Sequence, residues 1–256
     1  MRILDVGCGI NKLPGSIGID RNPASRADVL VDLDHFPYPF RDSSFDKLQA
    51  IHVIEHVSDV IRTVEEWHRL VRPGGEVFIV TPHYTDFSSF CDPTHRWHLT
   101  SFSLRYFGED HGGFGYYSAA RFEEISVRVR LLAFWRWLGF ELLVNASRRF
   151  RRFWEYYLCY VVRGKVIEWR LRVVKGHPDR QVAEAIGYIE NFLAGTGGDW
   201  DWDDFISIPS GDPRLDAVRN TCANLSALFP PEQKGHYCSE AGFEKLREIL
   251  RELKRG

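Results

Sequence analysis

Short apolar runs alternate with stretches of helical periodicity along the first eighty residues of this chain. Ile3–Val6 is continuous and apolar enough to be a buried strand, and Ser16–Ile19, Val29–Val31, Lys47–Ile51 and Glu76–Val80 repeat the pattern. Between the fourth and fifth runs, Val60, Val64, Trp67 and Val71 recur at helical spacing. They predict a helix over Asp59–Val71 that docks an apolar stripe on the sheet, with Ser58 as its cap and Asp59 complementing its dipole. Strands and helices alternating in this way build βα units around a parallel sheet. Ile125–Leu132 and Val166–Val174 bring the strands to seven. The predicted fold is α/β: a Rossmann-like, seven-stranded, mostly parallel sheet with helices on both faces, plus a C-terminal helical extension.

From His177 onward the texture changes. Helical patterns at Arg180–Leu193, Pro213–Leu228 and Glu240–Leu253 flank an acidic, glycine-containing loop at Gly195–Asp204. A boundary near residue 176 separates a domain over 1–175 from an extension over 176–256.

Composition alters this picture little. Hydrophobic residues make up 44% and charged residues 27%, with a formal net charge of −2, so no global basic field recruits nucleic acid. Cys8, Cys91, Cys159, Cys222 and Cys238 are scattered, odd in number and without a C-x-x-C pair. They suit a reducing cytoplasm better than a disulfide framework or a cysteine-rich zinc site. The opening Met1-Arg2-Ile3-Leu4 is too soon interrupted for a signal peptide, and no apolar run is long enough to span a membrane.

Local charge is less even. Asn145–Lys175 carries nine Lys/Arg against Glu155 and Glu168, interleaved with Phe150, Phe153, Trp154, Tyr156, Tyr157 and Tyr160. A basic aromatic helix suits peripheral contact with an anionic membrane, or nucleic acid; the plainer reading, preferred here, is a crossover between the last two strands. Ile189–Asp216 carries seven acids against Arg214, and the two segments are expected to complement each other. Within the acidic stretch, Asp204 and Ser210 break the pattern of a calcium loop, and Trp200 and Trp202 are expected to pin it.

The sharpest chemical feature is Leu4-Asp5-Val6-Gly7-Cys8-Gly9 at the first strand's end. Glycines there let a ligand press against bare backbone in a tight strand-to-helix turn. The third glycine of a dinucleotide fingerprint is missing, since Lys12 stands there and Pro14-Gly15 interrupts the helix start. Asp20, ending the second strand, is placed to accept hydrogen bonds from a ribose diol.

In order and spacing, Asp5-Val-Gly-Cys-Gly9, Gly18-Ile-Asp20, Phe36–Asp46, His52-Val-Ile-Glu55-His56-Val and Leu70-Val-Arg-Pro-Gly-Gly75 resemble the class I methyltransferases dependent on S-adenosylmethionine (SAM). The resemblance is strong over residues 2–82 and implies SAM as cofactor. Gly7 and Gly9 would then shape the loop around its methionine end, with Asp5 supporting that loop. Asp20 would bind the ribose, Asp32 and Leu33 would meet the adenine, and His52 would lie near the sulfonium. Glu55 and His56 more often fix a helix entry. Relatives commonly carry helices before the first strand that help close the pocket; here the 82–117 loop and the C-terminal helices are the available substitutes.

Ligands bind outside the carboxyl ends of parallel strands, so acceptor chemistry belongs after the fourth and fifth. Thr81-Pro82-His83-Tyr84 and Cys91-Asp92-Pro93-Thr94-His95-Arg96-Trp97-His98 fall there. His95 or His98 is the candidate general base, and Tyr84, Trp97 and Tyr106 are candidate pocket walls. Asp92, His95 and His98 are an incomplete metal donor set, so no metal is assigned. The expected activity is methyl transfer to a small molecule, such as a sugar or a lipid-linked metabolite. The alternatives are a non-catalytic SAM-binding partner and, less favoured, a nicotinamide-dependent oxidoreductase.

Overall fold

The computed structural model describes residues 1–108, 118–175, 178–198, 201–208, 210, 212–232 and 237–255. Seven strands form one sheet in the order β3-β2-β1-β4-β5-β7-β6. They are β1 (Ile3–Val6), β2 (Ile17–Asp20), β3 (Val29–Leu30), β4 (Phe45–Ile51), β5 (Val71–Pro82), β6 (Arg121–Leu131) and β7 (Gly164–Val174). The first five pair in parallel, and β7 runs antiparallel to both β5 and β6. The sheet is therefore Rossmann-like and mostly parallel, as its alternating pattern implies. The chain reverses its direction of travel between β1 and β4, the switch point where such sheets bind ligands.

Side-chain alternation along the strands sorts the sheet into two unlike faces. Leu4, Val6, Ile19, Leu48, Ala50, Val77, Ile79, Ile167 and Trp169 share one buried core. Helix α1 (Val60–Leu70) docks on it through Val64, Trp67 and Leu70. Asp59, not Ser58, is the cap: its carboxylate accepts from the Arg62 N–H at 3.0 Å. The Ser58 N–H instead donates to Asp34 Oδ1 at 2.8 Å.

The opposite face carries ion pairs: Lys47–Glu76 at 2.9 Å, Arg170–Glu76 at 3.1 Å, Arg172–Glu123 at 2.7 Å and Arg130–Glu168 at 2.9 Å. Helical cover of the two faces is thus uneven. The connections β1–β2, β2–β3 and β3–β4 contain no helix. The tight turn after β1 is accordingly strand-to-strand, not the strand-to-helix turn its glycines suggest.

Beyond β5 come α2 (Phe87–Cys91) and a 3-10 turn at Ser103–Phe107. The crossover between β6 and β7 holds three short helices, α3 (Ala133–Trp137), α4 (Phe140–Ala146) and α5 (Arg148–Tyr157). Asn145 ties α4 to the edge of β6, accepting from the Val129 N–H and donating to the Val129 carbonyl, each at 2.9 Å.

The chain divides into two compact units, the sheet unit (1–111 and 120–175) and a second unit of residues 112–119 and 176–256. In the second, α6 (Pro178–Ala194), α7 (Asp201–Ser207), α8 (Pro213–Ala223), α9 (Leu225–Leu228) and α10 (Glu240–Arg255) enclose Ile189, Leu215, Cys222, Leu225 and Leu246. Three of its acids make contacts within the unit. Asp212 caps α8, Asp216 pairs with Arg219 at 3.2 Å, and Glu190 pairs with Lys254 at 2.6 Å. Trp202 stacks on Phe192 at 3.8 Å, while Asp199 and Trp200 lie outside the described residues.

Candidate cofactor and acceptor site

The loop after β1 is built by carboxylates. Asp5, almost fully buried, accepts from the Leu13 N–H at 2.7 Å and from the Gln49 side-chain amide at 3.0 Å. Gly7 sits at φ +61° with its α-carbon against Val53, where an added Cβ would lie 2.5 Å from a methyl. Gly9 sits at φ +51° with open space where a Cβ would project. Both positions demand the left-handed region that glycine occupies without strain, and Gly9 also leaves its backbone bare toward a ligand. The Gly9 N–H donates to Asp20 Oδ2 at 2.9 Å, and the Asn22 N–H donates to Asp20 Oδ1 at 2.8 Å. Each Asp20 oxygen keeps a further lone pair, so the braced carboxylate can still receive a vicinal diol.

Next to Asp20, an open groove of about 550 Å³ is lined by Arg21, Asn22, Leu30, Val31 and Asp32. The backbone N–H of Asp34 and the His35 ring hold the Asp32 carboxyl below its usual range. Leu33 is half-buried beside the sheet core, and its carbonyl accepts from the Tyr38 hydroxyl at 2.9 Å, leaving its N–H for other use. The groove, the glycine loop and Asp20 together fit an adenosyl ligand. A dinucleotide fits less well, because its pyrophosphate is normally met by a helix N-terminus and no helix follows this loop.

The carboxyl ends of β4 and β5 hold a second cluster. His52 follows β4 at φ +55°, a strained conformation for a residue with a side chain. Its N–H donates to the Val80 carbonyl at 2.8 Å, and its Nδ1 lies 3.0 Å from Glu55 Oε1. Glu55 is 1% exposed, and its other oxygen accepts from the Thr81 hydroxyl at 2.9 Å. A buried carboxylate on Nδ1 fixes the tautomer, so the half-exposed His52 ring presents Nε2 outward. Spacing alone hinted at this pair, since His52 and Glu55 lie three residues apart in a turn, but only the structure shows Glu55 aimed at the histidine.

The 82–98 segment is pinned over that turn. The N–H of Arg96 donates to the Glu55 carbonyl at 2.7 Å, and the Trp97 indole donates to the Val57 carbonyl at 2.8 Å. His95 turns Nδ1 to the Ser89 carbonyl at 3.1 Å, with Nε2 3.8 Å from Asp92. Bonds from Thr94 hold the Asp92 carboxyl below its usual range. His98, exposed, puts Nδ1 2.9 Å from the Ser89 hydroxyl and stacks on Phe90 at 3.9 Å. Glu55, His56 and His95 gather within 4.8 Å of one another. Both Glu55 oxygens are engaged, by His52 and Thr81, while His56 Nδ1 faces Thr94 Oγ1 and His95 Nδ1 faces the Ser89 carbonyl.

Of the candidate walls, only Trp97 lies over the cluster. Tyr84 places its hydroxyl 2.9 Å from Cys159 Sγ, toward α5, and Tyr106 packs against the sheet core. His83, fully buried, lies 3.3 Å from Glu155 and crowds Gly164, where any Cβ would strike its ring. Burial works to raise the Glu155 carboxyl, but bonds from His83 and Ser101 outweigh it and leave it below its usual range. His83 thus joins the ends of β5 and β7 and has no free face for chemistry.

With these elements in place, the sheet unit defines a Rossmann-like α/β fold. Residues 4–79 match the family model described as a methyltransferase domain. It is 32% identical over 102 residues to a probable S-adenosylmethionine-dependent methyltransferase of Mycolicibacterium smegmatis, covering 34% of this chain and 40% of that one. It is 33% identical over 92 residues to probable tRNA methyltransferase 9B of Bos taurus, covering 30% of this chain and 20% of that one. The chain thus spans well under half of the curated relatives it matches. Among solved structures, a SAM-dependent methyltransferase from Archaeoglobus fulgidus aligns with 67% of this chain and 85% of its own, at 17% identity and a TM-score of 0.46.

Proposed function

We propose that the protein is a SAM-dependent methyltransferase acting on a small-molecule acceptor, a sugar or a lipid-linked metabolite, in the cytoplasm. The observation that carries this reading is the Asp20 carboxylate, braced by the Gly9 and Asn22 N–H groups beside the open groove. When bound, SAM supplies an electrophilic methyl on a sulfonium centre. The protein's own task is then to bind, align and deprotonate. Gly7 and Gly9 give the methionine end bare backbone, Asp5 holds that loop in shape, Asp20 receives the ribose hydroxyls, and Asp32 and Leu33 flank the adenine. His52, its Nδ1 held by Glu55, offers Nε2 to an acceptor proton at the carboxyl end of β4. His95 and His98 are both anchored on Ser89, and His95 is the better placed of the two, because its Nε2 lies 3.8 Å from Asp92 at the turn beside Glu55.

The tRNA methyltransferase name belongs to a relative matched over 92 residues only, and it carries no information about this chain's acceptor. The small-molecule reading rests on the modest net charge of −2 and on the narrow, self-bonded turn over β4. Four buried cysteines are free thiols, which suits a reducing compartment. The test is calorimetric titration of the full chain with S-adenosylhomocysteine and with NAD. Binding of the adenosyl ligand without NAD supports the reading; a folded protein that binds neither, or NAD alone, overturns it. Methyl release from labelled SAM in an acceptor screen then separates an enzyme from a binding partner.

A further inference from the structure

The β6–β7 crossover is folded inside-out for a surface element. Trp154 and Val144 face inward, with Cys159 and Val162, against Val129 and Leu131 of β6. Outward, Trp137 is 81% exposed, Leu142 77%, Tyr160 76% and Tyr157 72%, with Phe134 and Val161 close behind. Burying one aromatic or leucine is favourable by about 1.5–3 kcal/mol, so a soluble protein rarely leaves so many in water on one element. On α5, Arg149, Arg152, Phe153 and Tyr156 fall at i, i+3, i+4 and i+7, one outward stripe that mixes cations with rings.

The charge on this element is predominantly positive. Residues 133–165 hold seven Arg/Lys and two Glu. Both acids are engaged: Glu141 with Arg130 and the Leu131 N–H, and Glu155 with His83 and the Ser101 N–H. Among the described residues, no carboxylate lies within salt-bridge distance of Arg136, Arg148, Arg149 or Arg152. The Arg152 guanidinium lies 5.7 Å from the Tyr156 ring centre, a pair that keeps its charge at the surface.

We infer that residues 133–163 are a docking surface for an anionic lipid bilayer. Indole, phenol and aliphatic side chains flanked by arginines match an interface where hydrocarbon meets negatively charged headgroups. A second copy of the chain would set the same arginines against one another across a two-fold axis. A single-stranded RNA would stack on the rings but leave Leu142, Leu143 and Val161 without partners. The lipid is the occupant that satisfies both the cations and the aliphatics. Tyr84, just past β5, touches this element at Cys159, so the surface adjoins the segment that leads into the acceptor cluster. The inference does not depend on the methyl-transfer reading.

The test is co-sedimentation of the full chain with phosphatidylcholine vesicles, with and without phosphatidylglycerol, and gel-shift titration with a single-stranded RNA oligonucleotide. The expected result is partition onto the anionic vesicles only. Arg148→Ala with Arg149→Ala should weaken it by about 30-fold, and Trp137→Ser with Leu142→Ser should weaken it at every lipid composition. All four positions are exposed, so thermal melts of these variants should match wild type. Binding to RNA without binding to vesicles, concentration-dependent dimers lost in Trp137→Ser, or vesicle binding unchanged by both variants would each overturn the inference.

Discussion

Replacing Asp20 by asparagine tests the cofactor site at its most constrained atom. The carboxylate accepts from two backbone N–H groups, and its remaining lone pairs face the groove. Asparagine keeps one acceptor but turns an NH₂ toward a backbone donor, so one of the two bracing bonds becomes a donor–donor clash. A hydrogen bond to a charged group contributes about 1.5–3 kcal/mol, and the variant forfeits the charge-assisted bond to the ribose as well. A loss of about 3 kcal/mol in binding corresponds to a dissociation constant raised by about 100-fold. Calorimetry with S-adenosylhomocysteine reads this directly, and a thermal melt reports the part due to the loop alone. The brace lies at the surface end of β2, so the melt should move by only a few degrees. An affinity within about threefold of wild type, in a folded variant, would refute the placement of the ribose at Asp20.

Four further outcomes follow from the structure. Gly7→Ala must force a side chain into φ +61° and against Val53; the expected cost is about 3 kcal/mol in a denaturant melt, partly relieved by Val53→Ala. His52→Gln should lower kcat by about 100-fold with little change in SAH affinity. Glu55→Gln, which removes only the orienting charge, should lower kcat less; an unchanged kcat in both variants would remove this pair from the chemistry. Burial pulls the His68 pKa from 6.5 down to about 4, with its Nε2 3.1 Å from the Val174 carbonyl. The unfolded chain therefore takes up the proton first as pH falls from 6.5 toward 4, and about 3 kcal/mol of stability present at neutral pH is lost across that window. His68→Gln should flatten that acid limb in urea melts at pH 4.5 and 7, and an unchanged slope would refute the assignment.

The sequence legibly carries whatever depends on period and on short-range chemistry. Six of the seven strands are visible because their buried positions alternate or run apolar; the two-residue β3 is only half-buried at Val29, and the four-residue Ile17–Asp20 strand is displaced by a single position. Less visible is what tertiary contacts decide. β5 starts at Val71 rather than Glu76, because the Arg72-Pro73-Gly74-Gly75 segment is absorbed as an irregularity between the Phe45–Val71 and Lys47–Glu76 pairs. α3 to α5 are too short to stand alone and form only where Val144 and Trp154 find β6. The acidic loop predicted over Gly195–Asp204 becomes helical from Asp201, since three acids in a first turn complement the dipole. Pro213–Leu228 divides at Asn224, which serves as the end of α8 and the start of α9. In the candidate site, motif spacing pointed to Asp5, Gly7, Gly9 and Asp20. It could not show that Glu55 turns toward His52, because the direction of a side chain in a turn is set by the burial of its neighbours.

The missing helix after β1 changes how the loop must be held. In a Rossmann unit the helix clamps the glycine turn through its own backbone ladder, and its N-terminus supplies positive potential to a phosphate. Here side chains do the clamping. Asp5 holds Leu13, Asp28 bridges Lys12 and the Gly18 N–H at 2.8 and 2.7 Å, Ser16 Oγ donates to the Leu13 carbonyl, and Asp20 holds Gly9. Asp28 is paired with Lys12, but Asp5 and Asp20 remain beside the loop and make it a poor host for a pyrophosphate, whose charge they would repel. The same two suit a ligand whose groups at this end are an ammonium, a sulfonium and a ribose diol, each a cation or a donor. The feature that departs furthest from a dinucleotide-binding unit is thus the one that most narrows the cofactor. It also implies that the loop's shape depends on charge: protonating or neutralising any one of Asp5, Asp20 or Asp28 loosens the turn that the other two still hold.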